Sequence, residues 1–176
     1  MAYSSKAVAN FFLDKAEAEG SSLSPMKLQK LVFFGHGWSL GLQDEPLINE
    51  TVEAWKFGPV IRSLYDEFRE FGSSTITRHA RKYKITGGEI KPVVPRLPED
   101  AATDRSLLER VWDVYHKYTA VQLSNLTHAP GTPWAEVVKE YNGDPPLGLD
   151  IPNDLIKQYF KRMATSDVAA PCPEQS

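Results

Sequence analysis

The sequence predicts a mainly α-helical domain of about six helices, with a small β-hairpin or a long ordered loop around residues 73–98. Apolar residues recur at helical spacing in several segments, and Ser, Thr, Pro and Gly stand where such segments begin and end. The 176 residues, 41% hydrophobic and 24% charged, are ordinary for a single globular domain. We expect this domain to span residues 1–164 and a flexible tail to follow at 165–176.

Two helices are predicted near the start of the chain from their first and last residues. A capping serine and Gly20, which readily adopts the left-handed conformation, delimit a first helix over about 4–19. Ser24 and Pro25 begin a second helix over about 25–42, because proline loses no hydrogen bond at the first helical position.

The second helix carries apolar residues on two faces. Leu28 and Trp38 belong to one stripe, whereas Phe33 and Leu40 lie on the opposite side. Such a helix either occupies the centre of the domain or offers one face to a partner. The run Gly35-His36-Gly37 falls inside this helical pattern, so we interpret its glycines as points of close backbone approach and not as a phosphate-binding loop.

A third helix is predicted over about 59–71, because its apolar residues fall within a narrow arc and Pro59 suits its first position. The residues just before it place two aromatic rings and a cation beside a rigid turn. Groups of this kind often dominate protein interfaces. We expect Trp55 to pack into the core, and Lys56 and Phe57 fit either packing or binding.

Residues 73–99 differ in character, since β-branched residues are frequent there and Gly87-Gly88 offers a hairpin turn. Prolines within this stretch confine any strand to a sheet edge, so a hairpin and a long ordered loop both fit. Helical spacing then returns. Four further helices are predicted, at about 103–118 with Thr103 or Asp104 as the cap, 120–127, 134–141 and 152–163.

Charge is distributed unevenly along the chain. The formal net charge is -3, but the segment 78–96 contains six basic residues and one acidic residue, which makes it +5 and leaves -8 for the remainder. Such an asymmetry influences docking more than folding. The single cysteine, Cys172, cannot form a disulfide within the chain. This usage, the lack of a secretory leader and the lack of an apolar run of roughly 18–20 residues predict a cytoplasmic protein.

Motifs for catalysis, metals and cofactors are not found in the sequence. There is no Walker A loop and no nucleophile elbow, and the four histidines form no H-x-x-x-H pair. We interpret His128 as a residue that ends a short helix by bonding a carbonyl, although it could also act as a base. The sequence therefore predicts a binding protein with no catalytic residues, no metal and no cofactor.

A set of residue blocks spread over most of the chain forms a more specific signature. The blocks are Ser24–Phe34 with its KLQKL run, Gly37-Trp38, Pro46-Leu47, Glu53–Val60 with the sequence EAWKFGPV, Tyr65, Leu123-Ser124, Leu126–His128 and Pro133-Trp134. Through them the chain resembles the Panacea domain over about residues 4–160. This antitoxin family includes SocA-like and phage-associated proteins.

The resemblance implies a helical antitoxin of a type II-like toxin–antitoxin or phage-defence system. Family members neutralise unrelated toxins by direct protein contact, prominently small enzymes similar to alarmone synthetases, and some instead deliver the toxin to a protease. The toxin is expected to be encoded by the adjacent gene, and a homo-oligomer or a hetero-oligomer with the toxin would fit. Many members carry an additional DNA-binding domain, for which this chain offers no candidate segment, so direct DNA binding is not expected.

We predict the toxin-binding surface from the residues that carry aromatic rings or cations on these blocks. The candidates are the outer face of the second helix and the turn into the third helix, namely Lys27, Lys30, Phe33, Lys56, Phe57, Arg62 and Tyr65. The basic segment 78–96 would add charge complementarity. Two other hypotheses remain open: an enzyme that reverses the toxin's product with His128 or His36 as base, and nucleic-acid binding through the basic segment.

Overall fold

Seven α-helices and five short strands make up the part of the chain that the computed structural model describes, residues 1–166. The helices are α1 (Ser5–Ala18), α2 (Pro25–Gln43), α3 (Arg62–Phe68), α4 (Ala102–Tyr115), α5 (Ala120–His128), α6 (Pro133–Val138) and α7 (Asn153–Thr165). The strands are β1 (Val52–Trp55), β2 (Gly58–Val60), β3 (Lys82–Thr86), β4 (Glu89–Val93) and β5 (Asp150–Ile151). The prediction of a mainly α-helical fold is confirmed. The predicted tail lies outside the described residues from position 167 onward, and its flexibility stays a prediction.

Helix α2 lies at the centre of the domain. This confirms the first of the two interpretations of a helix that is apolar on two faces. It packs against α1, α4, α5 and α7, and most of its side chains are buried. Leu31 and Val32 are completely buried, and Phe33 is only 2% exposed. A helix enclosed on nearly all sides needs apolar residues around most of its circumference, which explains the pattern.

Glycines allow α7 to approach α2 closely. A Cβ atom on Gly37 would lie 2.1 Å from a ring carbon of Phe160, and one on Gly41 would lie 2.7 Å from the Phe160 Cβ. No side chain fits at these distances, so the Phe160 ring fills the space that the glycines leave. The interpretation of Gly37 as a point of close approach is confirmed.

Side-chain caps begin four of the helices. Ser4, Ser24, Thr119 and Thr132 each accept a hydrogen bond from a backbone N–H of the first turn, and Thr119 forms a full capping box with Gln122. The predicted cap of the fourth helix is wrong. Helix α4 begins one residue before Thr103, at Ala102, without a side-chain cap, and Asp104 instead accepts a hydrogen bond from the Tyr3 hydroxyl at 2.6 Å.

The start of the third helix is also corrected. Pro59 lies in β2, and α3 begins at Arg62. Strands β2, β1 and β5 form a small antiparallel sheet in that order, with Trp55 opposite Gly58 and Val52 opposite Ile151. Strands of two to four residues are too short to show a period, so the sequence did not indicate this sheet.

The stretch 73–99 contains the predicted hairpin. Strands β3 and β4 pair antiparallel around Gly87-Gly88, with Lys84 opposite Lys91 and Ile85 opposite Ile90. Residues directly opposite each other share a face, so one face of the hairpin is apolar and the other basic. Both faces are exposed: Ile85 is 79% exposed and Ile90 is 71% exposed.

Asn10 on α1 holds the base of this hairpin. Its buried amide donates to the carbonyls of Ala80 at 3.1 Å and Pro95 at 2.9 Å, and its oxygen accepts from the Ala80 N–H at 2.7 Å. One side chain thus satisfies backbone groups on both sides of the hairpin. Because an isolated two-stranded hairpin is marginally stable, this contact determines where it sits on the domain.

Replacing Asn10 by alanine is therefore expected to loosen the hairpin base and to destabilise the domain by about 1–3 kcal/mol, since it leaves the buried N–H and carbonyl of Ala80 and the half-buried carbonyl of Pro95 without this partner. Amide hydrogen exchange should accelerate at Ala80 and across β3 and β4, and chemical denaturation should report the lower stability. The matched control is Asn125→Ala on the exposed surface of α5. Equal exchange rates at Ala80 in both variants would contradict this account.

None of the helices within residues 1–166 has both the length and the apolar character needed to cross a membrane.

Candidate partner-binding groove

A groove of about 430 Å³ lies between the start of α2, the turn that joins β1 to β2, and α3. Gln29 and Lys30 contribute from α2, Trp55, Lys56 and Phe57 from the turn, and Tyr65 from α3. Most of its lining is apolar, three lining residues are basic, and none is acidic. We refer to this feature as the aromatic groove.

The turn at one edge of the aromatic groove exposes two side chains. Phe57 is 62% exposed, and the Lys56 ammonium lies 5.7 Å from the centre of its ring. A single exposed apolar side chain is normal, but Phe57 borders the apolar lining of the groove, and a contiguous apolar patch often marks an interaction site. Lys56 and Phe57 are thus available to a partner without any rearrangement of the core.

The backbone of the same turn is held firmly. Ser124 on α5 donates its hydroxyl proton to the Phe57 carbonyl at 2.7 Å, and the Trp134 indole N–H on α6 donates to the Trp55 carbonyl at 2.7 Å. On the other side, the Lys30 ammonium donates to the Pro59 carbonyl at 2.9 Å. Three helices therefore fix a turn whose tip is exposed.

Gln29 fixes the connection from β2 to α3. Its amide N–H donates to the Ile61 carbonyl at 2.9 Å, and its oxygen accepts from the Ile61 N–H at 3.0 Å. The buried Gln29 side chain thus satisfies both the N–H and the carbonyl of Ile61. This pair of bonds sets the distance between α2 and α3. Sequence reasoning assigned Gln29 no role, because a polar residue on an amphipathic helix is usually solvated.

Gly58 explains how the Lys30 ammonium fits under the turn. Its φ of 110° is rarely adopted by other residues. A Cβ atom there would lie 2.9 Å from the Thr127 hydroxyl oxygen and 3.0 Å from the Lys30 Nζ. The glycine thus provides both the backbone conformation and the space for the two polar atoms.

The rings of Trp55 and Tyr65 meet at a tilt in the opposite wall, and an ion pair stands beside them. The rings of Trp55 and Tyr65 lie 4.7 Å apart, and the Arg62 guanidinium lies 5.3 Å from the Trp55 ring. Arg62 also donates two hydrogen bonds to the Glu53 carboxylate, at 3.0 and 2.8 Å, and the Trp55 indole donates a third at 2.7 Å. Burial opposes ionisation of Glu53, but the bonds from Arg62 and Trp55 outweigh it and lower its pKa.

Lys30 is the most unusual residue of the aromatic groove. It is only 2% exposed, and none of the ion pairs of residues 1–166 includes it. Burial disfavours the charged ammonium and lowers the pKa of Lys30 to about 7. A buried amine without a counter-charge costs stability, and residues with strongly shifted pKa values in a cleft often mark functional sites.

The structure brings four of the seven predicted binding residues together. Lys30, Lys56, Phe57 and Tyr65 line the aromatic groove, and Arg62 stands beside it against Trp55. Trp55 itself, predicted to pack into the core, is only half-buried and lines the same groove.

Two other predicted residues of α2, Lys27 and Phe33, do not line the aromatic groove, and the prediction is wrong for Phe33. Phe33 is buried, with its ring 6.0 Å from that of Phe160, so it cannot be an exposed docking residue. Lys27 is half-buried at the C-terminal end of α4, where its ammonium donates to the His116 carbonyl, so its role in binding stays a prediction. Lys30 belongs to the groove but is likewise buried instead of facing outward. Periodicity gives the angle between these positions, but it does not say which other helix covers them.

The two histidines proposed as alternative bases differ in burial, since His36 is fully enclosed and His128 is half-buried. His36 is fully buried, with its ring nitrogens bonded to Asn153 Oδ1 at 3.0 Å and to the Ile48 N–H at 3.4 Å. Burial lowers its pKa, and the Asn153 bond only partly offsets this. The predicted carbonyl bond of His128 is wrong: its buried Nδ1 has no partner among the described residues, and its ring packs edge-on against Trp134.

Three potential ligand atoms of Asp14, Glu17 and His79 lie within 4.8 Å of one another. Asp14 already accepts hydrogen bonds from His79 and from Arg96. We therefore assign no metal to this exposed cluster.

The basic segment divides into paired and free charges. Arg78 is paired with Glu67 and Glu70. Arg96 is paired with Asp14. The lysines of the hairpin are exposed, and of these Lys91 contacts Glu89 within the same strand. The positive charge available to a partner is thus concentrated on one face of the hairpin.

Comparison with known proteins identifies the class to which this fold and groove belong. Residues 28–135 match the family model of the antitoxin SocA-like Panacea domain, a range that includes most of α2, most of the groove lining, the hairpin and α5. The chain is a member of this antitoxin family, as the residue signature predicted.

One relative extends the similarity beyond the domain match. The chain is 37% identical over 156 residues to Antitoxin SocA of Caulobacter vibrioides (strain NA1000 / CB15N), which covers 89% of this chain and 81% of the relative. No solved structure matches the chain.

Proposed function

We propose that this antitoxin neutralises a cognate toxin protein by binding it directly through the aromatic groove and the turn that carries Lys56 and Phe57. The observation that carries the proposal is a rigidly anchored turn that exposes an aromatic ring and a cation beside an apolar groove. Family membership supplies the antitoxin role. The toxin, its encoding by the adjacent gene and a shared location in the cytoplasm belong to the proposal.

A rigid turn is well suited to this task. Ordering flexible side chains and loops on binding typically costs about 0.5–1.5 kcal/mol for each side chain, and a backbone already fixed by Ser124, Trp134 and Lys30 avoids much of that cost. Phe57 would insert into the toxin, while the apolar walls of the groove would receive a side chain of the toxin. Inhibition would follow from blocking the toxin's substrate site or from holding an inactive shape, without any reaction on the antitoxin.

The hairpin of β3 and β4 would contribute at longer range. Its exposed basic face stands on a domain that is otherwise acidic, and opposite charges steer two proteins into productive encounters. Its apolar face, with Ile85 and Ile90, offers a second contact once the complex forms. We propose that the hairpin approaches an acidic region of the toxin.

Co-expression with the adjacent gene's product tests the proposed function. A direct-binding antitoxin restores growth and co-purifies with the toxin at a fixed stoichiometry. Rescue without a stable complex would contradict the proposal and favour an enzyme that reverses the toxin's product. Toxin that disappears in a protease-dependent manner would instead indicate an adaptor.

Truncation of the exposed ring is expected to weaken the complex. The Phe57→Ala change should raise the dissociation constant by about 30-fold or more, because removal of an aromatic anchor typically costs about 2 kcal/mol. Titration calorimetry at two salt concentrations would measure affinity, and thermal unfolding of the free protein should change little. Leu147→Ala, at a side chain that is 82% exposed, is the matched control. Equal affinity of the Phe57 variant and the wild type would place the binding surface elsewhere.

A further inference from the structure

We propose that the aromatic groove accepts a segment of the toxin that joins an apolar side chain to a carboxylate, with the carboxylate paired to the Lys30 ammonium. This inference rests on the proposed function and specifies the chemistry of the partner. The carboxylate would belong to an Asp or Glu side chain or to the C-terminus of the toxin chain.

Lys30 has unused hydrogen-bonding capacity. An ammonium group can donate three hydrogen bonds. Among the described residues, Lys30 donates one, to the Pro59 carbonyl at 2.9 Å. The side chain is 98% removed from solvent, so water satisfies little of the remainder. Such a group is normally paired or stabilised by further hydrogen bonds when buried.

The carboxylate of Glu53, on the strand that pairs with β2, is already in use. Glu53 on β1 accepts hydrogen bonds from Arg62 and from the Trp55 indole, and these donors occupy both of its oxygens. The residues that line the aromatic groove include Lys30, Lys56 and Arg69 but no Asp or Glu. The positive charge of the groove is therefore uncompensated within its own lining.

The remainder of the lining specifies what must accompany the carboxylate. Trp55, Phe57 and Tyr65 present ring faces and edges, which favour an aromatic or aliphatic side chain over a sugar–phosphate backbone. A partner with an acidic group next to an apolar side chain would pair with the Lys30 ammonium and pack against the aromatic rings at the same time. Binding of this kind provides specificity, because a partner without the carboxylate leaves the buried amine unpaired.

A pair of small probes tests the chemistry without the toxin. N-acetyl-tryptophan and N-acetyl-tryptophan amide differ only in the carboxylate, and binding to the full chain can be followed by NMR chemical shifts. We expect the acid to bind at least about tenfold more tightly than the amide, since charge-assisted hydrogen bonds are the stronger ones. In Lys30→Met this preference should vanish, whereas the exposed-site control Lys139→Met should retain it. Equal binding of acid and amide, no binding of either, or a preference that survives Lys30→Met would overturn the inference. Inorganic phosphate is the third probe, and tighter binding of phosphate than of the acid would also overturn it.

The complex with the toxin separates this inference from the proposed function. Each exposed Asp and Glu of the co-purifying toxin is changed to its amide, and the C-terminal carboxylate is blocked by an added residue. One of these changes should weaken the complex at least about tenfold with wild-type antitoxin but not with Lys30→Met. If the complex forms and no change has this effect, the carboxylate inference fails while direct neutralisation stands. If no complex forms, direct neutralisation fails, and the probe titrations alone decide whether the groove binds carboxylates.

Discussion

A Lys30→Met variant is expected to be more stable than the wild-type protein at pH 6, although it removes a hydrogen bond to the Pro59 carbonyl. Methionine has a similar length and can occupy the same buried site, while the buried ammonium is penalised by the loss of hydration. Replacing buried ionic groups by apolar residues of similar volume is often neutral or stabilising, and the gain where it stabilises is about 1–4 kcal/mol. We expect a net gain of about 1–3 kcal/mol after the lost bond is taken into account.

The pH dependence of this gain identifies its cause. In the unfolded chain Lys30 titrates near 10.5, whereas burial lowers the pKa in the folded protein to about 7. Between these values the unfolded state binds a proton that the folded state does not, so the stability of the wild type rises with pH across this window. Below pH 7 both states are protonated, and the penalty on the wild type is complete. The advantage of Lys30→Met should therefore be largest at or below pH 7 and should fade as the pH approaches 10.

Urea denaturation of both proteins at several values between pH 6 and 10 measures this difference. Comparison at each pH removes the contribution of every other titrating group that the two proteins share. Lys139→Met, at an exposed lysine, should match the wild type throughout. A Lys30→Met protein that is less stable than the wild type at pH 6, or an advantage that grows with pH, would refute a buried and uncompensated amine.

The second large effect concerns the contact between α2 and α7. Gly37→Ala is expected to destabilise the domain by about 3 kcal/mol, because the added methyl group would lie 2.1 Å from a ring carbon of Phe160. That ring is held by Phe33, Phe34 and Trp38, with centroid distances of 6.0, 6.3 and 5.1 Å, so it has little room to move. In an open helix the same change would stabilise by about 1 kcal/mol, which makes the sign informative.

A double-mutant cycle separates the steric cause from a general effect of the substitution. Phe160→Leu shortens the obstructing ring, so Gly37→Ala should cost much less in that background, and the two changes should be clearly non-additive. Thermal and chemical unfolding of the four proteins provide the values. Additive losses, or an alanine variant at least as stable as the wild type, would show that the close approach at Gly37 is not required.

The boundaries of most helices were readable from local chemistry. Ser24 followed by Pro25 marks the start of α2 in any context, since a capping hydroxyl and a proline at the first position act within a few residues. Gly87-Gly88 marks the turn of the hairpin for the same reason. The predicted start of α3 was wrong because proline is compatible with two local structures. Pro59 suits the first turn of a helix, but here it lies in an edge strand.

The candidate site was only partly predictable. Lys56, Phe57 and Tyr65 stand out as rings and a cation next to a turn, and they do line one groove. Gln29 was missed because its role depends on Ile61, 32 positions away, which no periodicity connects to it.

Helix positions, the hairpin and family membership follow from the order of residues along the chain, because caps, turns and signature blocks are local. Whether a helical face is buried or exposed depends on which other segments pack against it, and that is a property of the folded domain. Phe33 became core because α7 covers it, and Lys30 came to lie under a turn because Gly58 leaves room for its ammonium. A burial of this kind arises from contacts between distant segments, so only the assembled domain reveals the unpaired cation in the aromatic groove.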